Sequence, residues 1–312
     1  MALNAATDER IKKKIAAEIN ETDDEKIDVN IEIVKEWITR QPHLPQDLDR
    51  RILPFFIRGC KHDIERTKRK VDTYFTYRRT IPEFFQNRDP ESKEILRASK
   101  QFKAFVLPDL TPDGARVTFH SFTNEPVEEF DPAALYKMLC MIGDVRMVEE
   151  PMISGDIFVF DVGHMTLTHV AKLATPLLKK ILLTTQNAFP QRLREIHLIN
   201  APSHVDKVVT MFKFFMKPKM KNRWHIHTGI KSLADFIPRE MLPSDYGGES
   251  KSSDAFQKEW LKKLNAYKTY FEGQENVMVD ENKRQDKSTE TARFNENNIF
   301  GQEGAFRRLN ID

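Results

Sequence analysis

The sequence predicts an α/β fold in which a helical bundle is followed by a helix-covered, largely parallel sheet. Three features carry this. Apolar residues recur at three- and four-residue spacing through residues 1–95, the period of helices with one buried face. From about Gln101, short alternating or apolar runs take turns with helical patterns, as strands joined by crossover helices do. The run Leu242-Pro243-Ser244-Asp245-Tyr246-Gly247-Gly248 is dense in turn formers and predicts the end of the compact fold near residue 250. The expected units are a helical N-terminal domain over 1–95, a second domain over 96–250, and a C-terminal helix with a tail over 251–312.

Each element has a local reason. Ile11, Ile15 and Ile19 form one stripe, and Thr22-Asp23-Asp24 can cap a helix carrying Ile27, Ile31, Val34 and Ile38. Gln41-Pro42 to Pro45 breaks the chain. Asp47 can cap a short helix with Leu48, Ile52, Phe55 and Phe56, in which Pro54 demands a kink or a late start. Asp63 caps a longer helix with Ile64, Val71, Tyr74 and Phe75, and Pro82 and Pro90 mark the way out.

In the second part Val117, Phe119 and Ser121 alternate with Thr118, His120 and Phe122, which predicts a strand. Asp131-Pro132 opens a helix to about Val148, with Leu135, Leu139 and Ile142 on one side. Ile157 to Val162 reads as a buried strand. A helix through Leu173, Leu177, Ile181 and Leu182 follows, then a strand from Glu195 to Asn200, an apolar helix, and a strand from Trp224 to Thr228. Ser253 to Phe271 predicts one more helix, with Phe256, Trp260, Leu264 and Tyr267 near one face. Asp280 to Asn297 is polar enough to be mobile, and Ile299, Phe300, Phe306, Leu309 and Ile311 restore some apolar character. There is no internal repeat.

Composition narrows the function. The chain has 312 residues, 40% hydrophobic and 31% charged, with a formal net charge of +2. That balance argues against a general polyanion binder, so no nucleic-acid partner is expected. Phe is common (22) beside Trp (3) and Tyr (6), which suits a large apolar interior or a ring-lined cavity. Cys60 and Cys140 sit in unrelated contexts and read as reduced thiols. The N-terminus lacks a signal-peptide core, and no apolar run reaches spanning length. A cytoplasmic protein whose membrane contact is transient and peripheral is expected.

Catalytic motifs are missing. There is no phosphate cradle, dinucleotide fingerprint or GxSxG elbow. His225 and His227 share one side of a strand but have no third ligand at matching spacing, so no metal site is expected. Asp161, at a strand end, reads as a turn former or cap, and His120, His164, His169 and His197 select no triad. Lys12 to Lys14 and Arg66 to Lys70 read as solvated helix faces. The distinctive stretch is His204 to Arg223. Val205, Val208, Val209, Phe212, Phe215 and Met216 share a helical face, and Lys217-Pro218 then opens a cluster with Lys219, Lys221 and Arg223. Such a helix is either core with a charged end or a movable apolar wall hinged at an anionic surface.

The segments FPQRLREIHLINAP, FKFFMKPKMKNRWHIHTG and LPSDYGG, with the earlier ILPFFIRGCKHDIERTKRKVDTYFTYRRTIPEFF, resemble in order the signature of the CRAL-TRIO lipid-binding family. They are most similar to the branch containing α-tocopherol transfer protein and cellular retinaldehyde-binding protein, over about Asp47 to Gly248. The closing GQEGAFRRLNID resembles C-termini of arthropod-type members. The resemblance implies a helical N-terminal module and an α/β domain whose mixed sheet floors an apolar cavity. A gate helix at His204–Met216 would close it. On that reading the pocket and gate are Phe119, Tyr136, Leu139, Ile142, Phe158, Phe160, Leu177, Ile181, Val205, Val208, Val209, Phe212, Phe215 and Met216. The branch's phosphoinositide cleft matches Arg192, Lys219 and Arg223, with Lys221 adjacent. Its further basic position falls on Cys60, where Lys61 is the nearest substitute. The small polar pocket positions of some members fall at Leu139 and Gly143.

The implied function is that of a soluble, non-enzymatic carrier without cofactor. It would move a tocopherol-, retinoid- or other isoprenoid-like lipid between phosphoinositide-containing membranes. The alternatives are a lipid-regulated adaptor or signalling protein without net transfer and, less favoured, a hydrolase using Asp161 and nearby histidines.

Overall fold

The computed structural model describes residues 2–23, 25–173, 176–203, 205–227 and 229–287. The first hundred residues are helical: α1 (Glu9–Ile19), α2 (Lys26–Thr39), α3 (Leu53–Gly59), α4 (Ile64–Thr80), α5 (Pro82–Phe85) and α6 (Lys93–Gln101). Pro54 resolves as a late start, in the first turn of α3. The 3₁₀ turn before it is capped by Asp49, not by Asp47: the Asp49 carboxylate accepts from the Arg51 amide at 3.0 Å. Asp63 caps α4, accepting from the Arg66 amide at 2.9 Å. Val71, Tyr74, Phe75 and Tyr77 make α4 the central element of this bundle.

The sheet has five strands in the order β1 (Phe102–Leu110), β2 (Ala115–Phe122), β3 (Gly155–Asp161), β4 (Leu193–Ile199) and β5 (Trp224–Ile226). The pair β1–β2 is antiparallel and the other three pairs are parallel, so the sheet is mixed. Strand β1, with Pro108 in it, was not anticipated from the sequence. Crossovers run through α7 (Pro132–Glu149), then α8 (Leu167–Leu173) and α9 (Pro176–Leu183), then α10 (Val205–Phe215) and α11 (Pro218–Lys221). The helix expected through Leu173 and Leu182 is seen as α8 and α9, on either side of residues 174–175, which lie outside the described residues.

Strand alternation divides the sheet into two faces. On one, Phe105 stacks between Phe119 and Phe256, at ring distances of 5.3 and 5.5 Å. Phe256 belongs to α12 (Ser253–Ala266), which covers this face and buries Trp260, whose indole donates to the Val106 carbonyl at 2.9 Å. The compact fold thus does not end near residue 250, as the turn-rich run suggested. The helix expected to reach Phe271 breaks at Tyr267 and resumes as α13 (Lys268–Gly273). The chain then returns to the N-terminal bundle, burying Val277 and Val279 in its core. Arg284 pairs with Asp72 at 2.8 Å, so residues 280–287 are anchored where composition predicted mobility. The apolar residues from Ile299 to Ile311 lie outside the described residues.

The bundle and the sheet domain share a core. Tyr136, Cys140 and Met147 of α7 and Phe189 before β4 pack among α3, α4 and α5 side chains. A buried cluster closes the seam: Asp144 accepts from the Tyr74 hydroxyl at 2.7 Å and pairs with Arg78 and Arg88.

Candidate functional site

The second face of the sheet is not filled. A cavity of about 240 Å³ lies on it, where a single water needs roughly 10–15 Å³. Its floor is Thr118, His120 and Phe122 of β2, Phe158 and Phe160 of β3, Ile196 and Leu198 of β4 and Trp224 of β5. The walls come from α7 (Leu135, Tyr136, Leu139, Ile142, Gly143), α9 (Leu178, Ile181, Leu182) and α10 (Val205, Val208, Phe212). Met216, just past α10, completes the lining on that side.

Most of the expected pocket residues meet here: Tyr136, Leu139, Ile142, Phe158, Phe160, Ile181, Val205, Val208, Phe212 and Met216. Phe119 does not. It lies in β2 with the opposite parity and packs on the α12 side, against Phe105 and Tyr246. Every residue of β2 is buried, so hydropathy alone gave no clue to which face is which. Leu177 packs against the N-terminal core instead, and Val209 is buried in the sheet domain's core without reaching the void. The Phe215 side chain lies outside the described ones. The residues not anticipated are polar or neighbouring ones, Thr118, His120, Phe122, Leu178, Leu182, Arg146 and Trp224 among them. The alternation of Thr118, His120 and Phe122 was the available signal for the first three.

Gly143 has a steric role. A Cβ there would meet the Phe189 ring at 2.8 Å, so the small residue lets Phe189 close the wall between cavity and bundle. Arg146 also reaches the cavity, but its charge is met by Glu150 and Asp156, each at 2.7 Å.

On α10, Phe212 and Met216 pack against Leu178 and Leu182 of α9. Phe214 points outward, with 61% of its surface exposed. The C-terminal end of α10 is tied to the π-helical turn Thr184–Ala188. The Lys217 amide donates to Gln186 Oε1 and its Nζ to Asn187 Oδ1, both at 2.9 Å. The same turn is held from α4, because Lys70 Nζ donates to the carbonyls of Gln186 at 2.9 Å and Phe189 at 2.7 Å. Burial pushes the Lys70 pKa down to about 7, against the pull of Cys60 and helped by the nearby charges of Lys217, Arg66 and Lys219.

The charged neighbours of the expected basic residues differ. Lys219 groups with Lys70 and Lys217. Arg192 donates to the Ile153 carbonyl at 2.5 Å, and its charged neighbours are Asp156, Glu18 and Arg194. Arg194 pairs with Asp113 at 2.6 Å. Lys221 ends α11, and Arg223 precedes β5, its carbonyl accepting from the Ile196 amide at 2.8 Å. Lys61, beside the buried Cys60, adopts a left-handed backbone with φ 59°.

Chemistry elsewhere is structural. Asp161 forms a turn: it accepts from the Gly163 amide at 3.0 Å, the Asn200 amide group at 3.1 Å and the Tyr246 hydroxyl at 2.8 Å. His225 and His227 do share one side of β5, and they stack with His197. His197 and His227 bond each other at 2.8 Å, and Glu195 and Ser232 take the remaining nitrogens. Among the described residues, no group of three or more His, Cys, Asp or Glu side chains is placed to hold a metal. No helix among them is long and apolar enough to cross a membrane.

Comparison with known proteins places this geometry. A family model described as Pinta-like, UBA domain matches residues 23–95, and one described as CRAL/TRIO domain matches residues 100–248. The human protein named alpha-tocopherol transfer protein-like is 27% identical over 232 residues, covering 72% of this chain and 66% of that protein. Rat clavesin-1 is 25% identical over 240 residues, covering 76% of this chain and 67% of its own length. The chain thus spans just under two thirds of the first of these relatives. The solved structure of Sfh5 aligns at 13% identity with a TM-score of 0.43, covering 78% of this chain and 91% of that one. Residues 100–248 are thus a CRAL/TRIO domain, and the chain is distantly homologous to the alpha-tocopherol transfer protein-like protein and to clavesin-1.

Proposed function

We propose that the protein is a soluble, cytoplasmic carrier that takes a hydrophobic small molecule into the cavity and passes it between membranes. The guest is tocopherol-, retinoid- or otherwise isoprenoid-like. The observation that carries the reading is the unfilled, ring-lined space of about 240 Å³ behind Phe212. A guest gains roughly 0.8 kcal/mol for each buried CH₂, so an apolar space of this kind retains it without covalent chemistry. Retention makes release slow, and release then needs a trigger. Helix α10 is the gate in this reading, with Val205, Val208 and Phe212 on its inner side and Met216 just past its end. The trigger is contact of Lys219, Lys221, Arg223 and Arg192 with a phosphoinositide-containing leaflet, in transient peripheral association. Each charge brought to an anionic surface contributes on the order of 1 kcal/mol, so several together are enough to bias an open gate.

The test is transfer of a fluorescent tocopherol analogue between vesicles. A carrier moves many molecules per protein, at a rate that rises when acceptor vesicles contain a phosphoinositide. Lys219→Ala with Arg223→Ala should slow that transfer at least fivefold while leaving uptake of the analogue unchanged. Binding without net transfer would favour a lipid-regulated adaptor, and no uptake would refute the reading.

A further inference from the structure

Four buried polar atoms on the cavity lining have no hydrogen-bond partner; Arg146 Nη2 has its ion pairs with Glu150 and Asp156, and the three left with neither are Thr118 Oγ1, His120 Nδ1 and Trp224 Nε1. Buried polar groups are seldom left unmatched, and an unmatched set on a cavity wall points to a ligand. The three do not form one point. Thr118 and His120 are alternate residues of β2, on one face and roughly 7 Å apart along the strand. Trp224 closes the cross-sheet row Thr118–Phe158–Ile196–Trp224, three strand spacings or roughly 14 Å away, and packs at 6.3 Å from the Phe212 ring of α10. The β2 pair therefore lies deep, and the indole lies by the gate.

The β2 pair is held in place. Thr118 and His120 are 5% and 7% exposed. The His120 ring lies flat on Phe160, with centroids 4.4 Å apart and planes at 14°, and meets Phe158 edge-on at 5.5 Å. Burial keeps the imidazole neutral, its pKa pushed down to about 3 in spite of the Val159 backbone group. The one N–H of the neutral ring is given to the Val159 backbone, which leaves Nδ1 as an acceptor, while the Thr118 hydroxyl can give or accept, so the pair suits one hydroxyl group. It does not suit a charged one: among the described residues the lining has one guanidinium, that of Arg146, and it is already matched by Glu150 and Asp156.

We propose that Thr118 and His120 form the polar end of the guest site and bind one uncharged hydroxyl group at the tip of an otherwise apolar molecule. This rests on the carrier reading, and it sets the guest's direction: oxygen at β2, hydrocarbon toward α10.

Octadecane, octadecan-1-ol and stearate test it, with dissociation constants from competition against a fluorescent apolar probe. The wild type should bind the alcohol at least tenfold more tightly than the alkane, and stearate at pH 8 no more tightly than the alkane. Thr118→Val with His120→Phe should bring the alcohol-to-alkane ratio below threefold while alkane affinity stays within threefold of wild type, which also reports an intact cavity. Trp224→Phe should leave the ratio unchanged. Equal affinity for alcohol and alkane in the wild type overturns the site but not the carrier. So does a ratio that survives the β2 double change or vanishes with Trp224→Phe alone. If the wild type takes neither molecule, the carrier reading falls and the site falls with it.

Discussion

Replacing Asp144 by asparagine should weaken the seam between the two halves of the molecule. The carboxylate is fully buried on α7 and faces two guanidiniums, Arg78 at 3.3 Å and Arg88 closer still, while the Tyr74 hydroxyl donates to its other oxygen. Arg78 in turn donates to the Val277 carbonyl at 2.8 Å, and Arg88 lies over the Phe271 ring at 5.4 Å. The neutral amide of Asp144→Asn would leave two buried cations without a counter-charge. Breaking a buried pair from one side costs about 3–5 kcal/mol, a large share of a total stability of roughly 5–15 kcal/mol. Urea unfolding should show the loss as a lower midpoint at unchanged slope. Adding Arg88→Met removes one stranded cation, so the double variant should recover part of the loss. A single-variant loss below about 1 kcal/mol, or a double variant as poor as the two changes added, would refute the claim that this cluster clamps α7 to the bundle.

Two further outcomes concern pH. Lys70, held near pKa 7 beside Lys217 and Lys219, gains its charge as pH falls from 8 to 6. Binding to anionic vesicles should therefore strengthen about fivefold over that range, from about 1 kcal/mol for one added charge, and Lys70→Gln should flatten the change in a sedimentation assay. His120, with its pKa lowered from 6.5 to about 3, adds stability that is fully present above pH 6.5. That stability is lost as pH falls toward 3, because the unfolded chain takes the proton first. On the order of 3–5 kcal/mol is at stake, and urea midpoints should fall less steeply with acid in His120→Phe than in the wild type.

Periodicity carried much of the fold. The stripe of α4, the capping Asp63 and the alternation in β2 each have one physical reading, and the structure has those elements. Other features were hidden because their cause is tertiary. Strand β1 exists through its pairing with β2 and the cover of α12, and Pro108 in its sequence reads as a breaker. Residues 280–287 are polar by composition, and tertiary contacts hold them: Arg284 pairs with Asp72 and donates to the Thr76 hydroxyl, and the Asp280 amide donates to the His43 carbonyl. The cavity residues were legible as a set of apolar positions, but not by face. Phe119 has the opposite parity, and the floor uses Thr118 and His120, whose polarity argues against burial until a guest is considered.

Why the void should open at α10 follows from what holds each wall. Helix α7 is clamped from outside by Asp144 and by the core shared with the bundle, and the turn after α9 is held by Lys70. Helix α10 lines the same void, and its tie is at its C-terminal end, through Lys217 to that turn. A side chain beside empty space lacks partner atoms on that side and loses the dispersion those atoms would supply. A guest supplies them, so loading should favour the closed gate, and acyl chains of a membrane should favour the open one by serving the same side chains. Backbone amides of residues 205–216 should accordingly exchange with deuterium at least threefold more slowly when octadecan-1-ol is bound, while those of α4 remain unchanged. Equal slowing in both helices would mean that the guest stabilises the whole fold alike, and that α10 is no more a gate than the walls it meets.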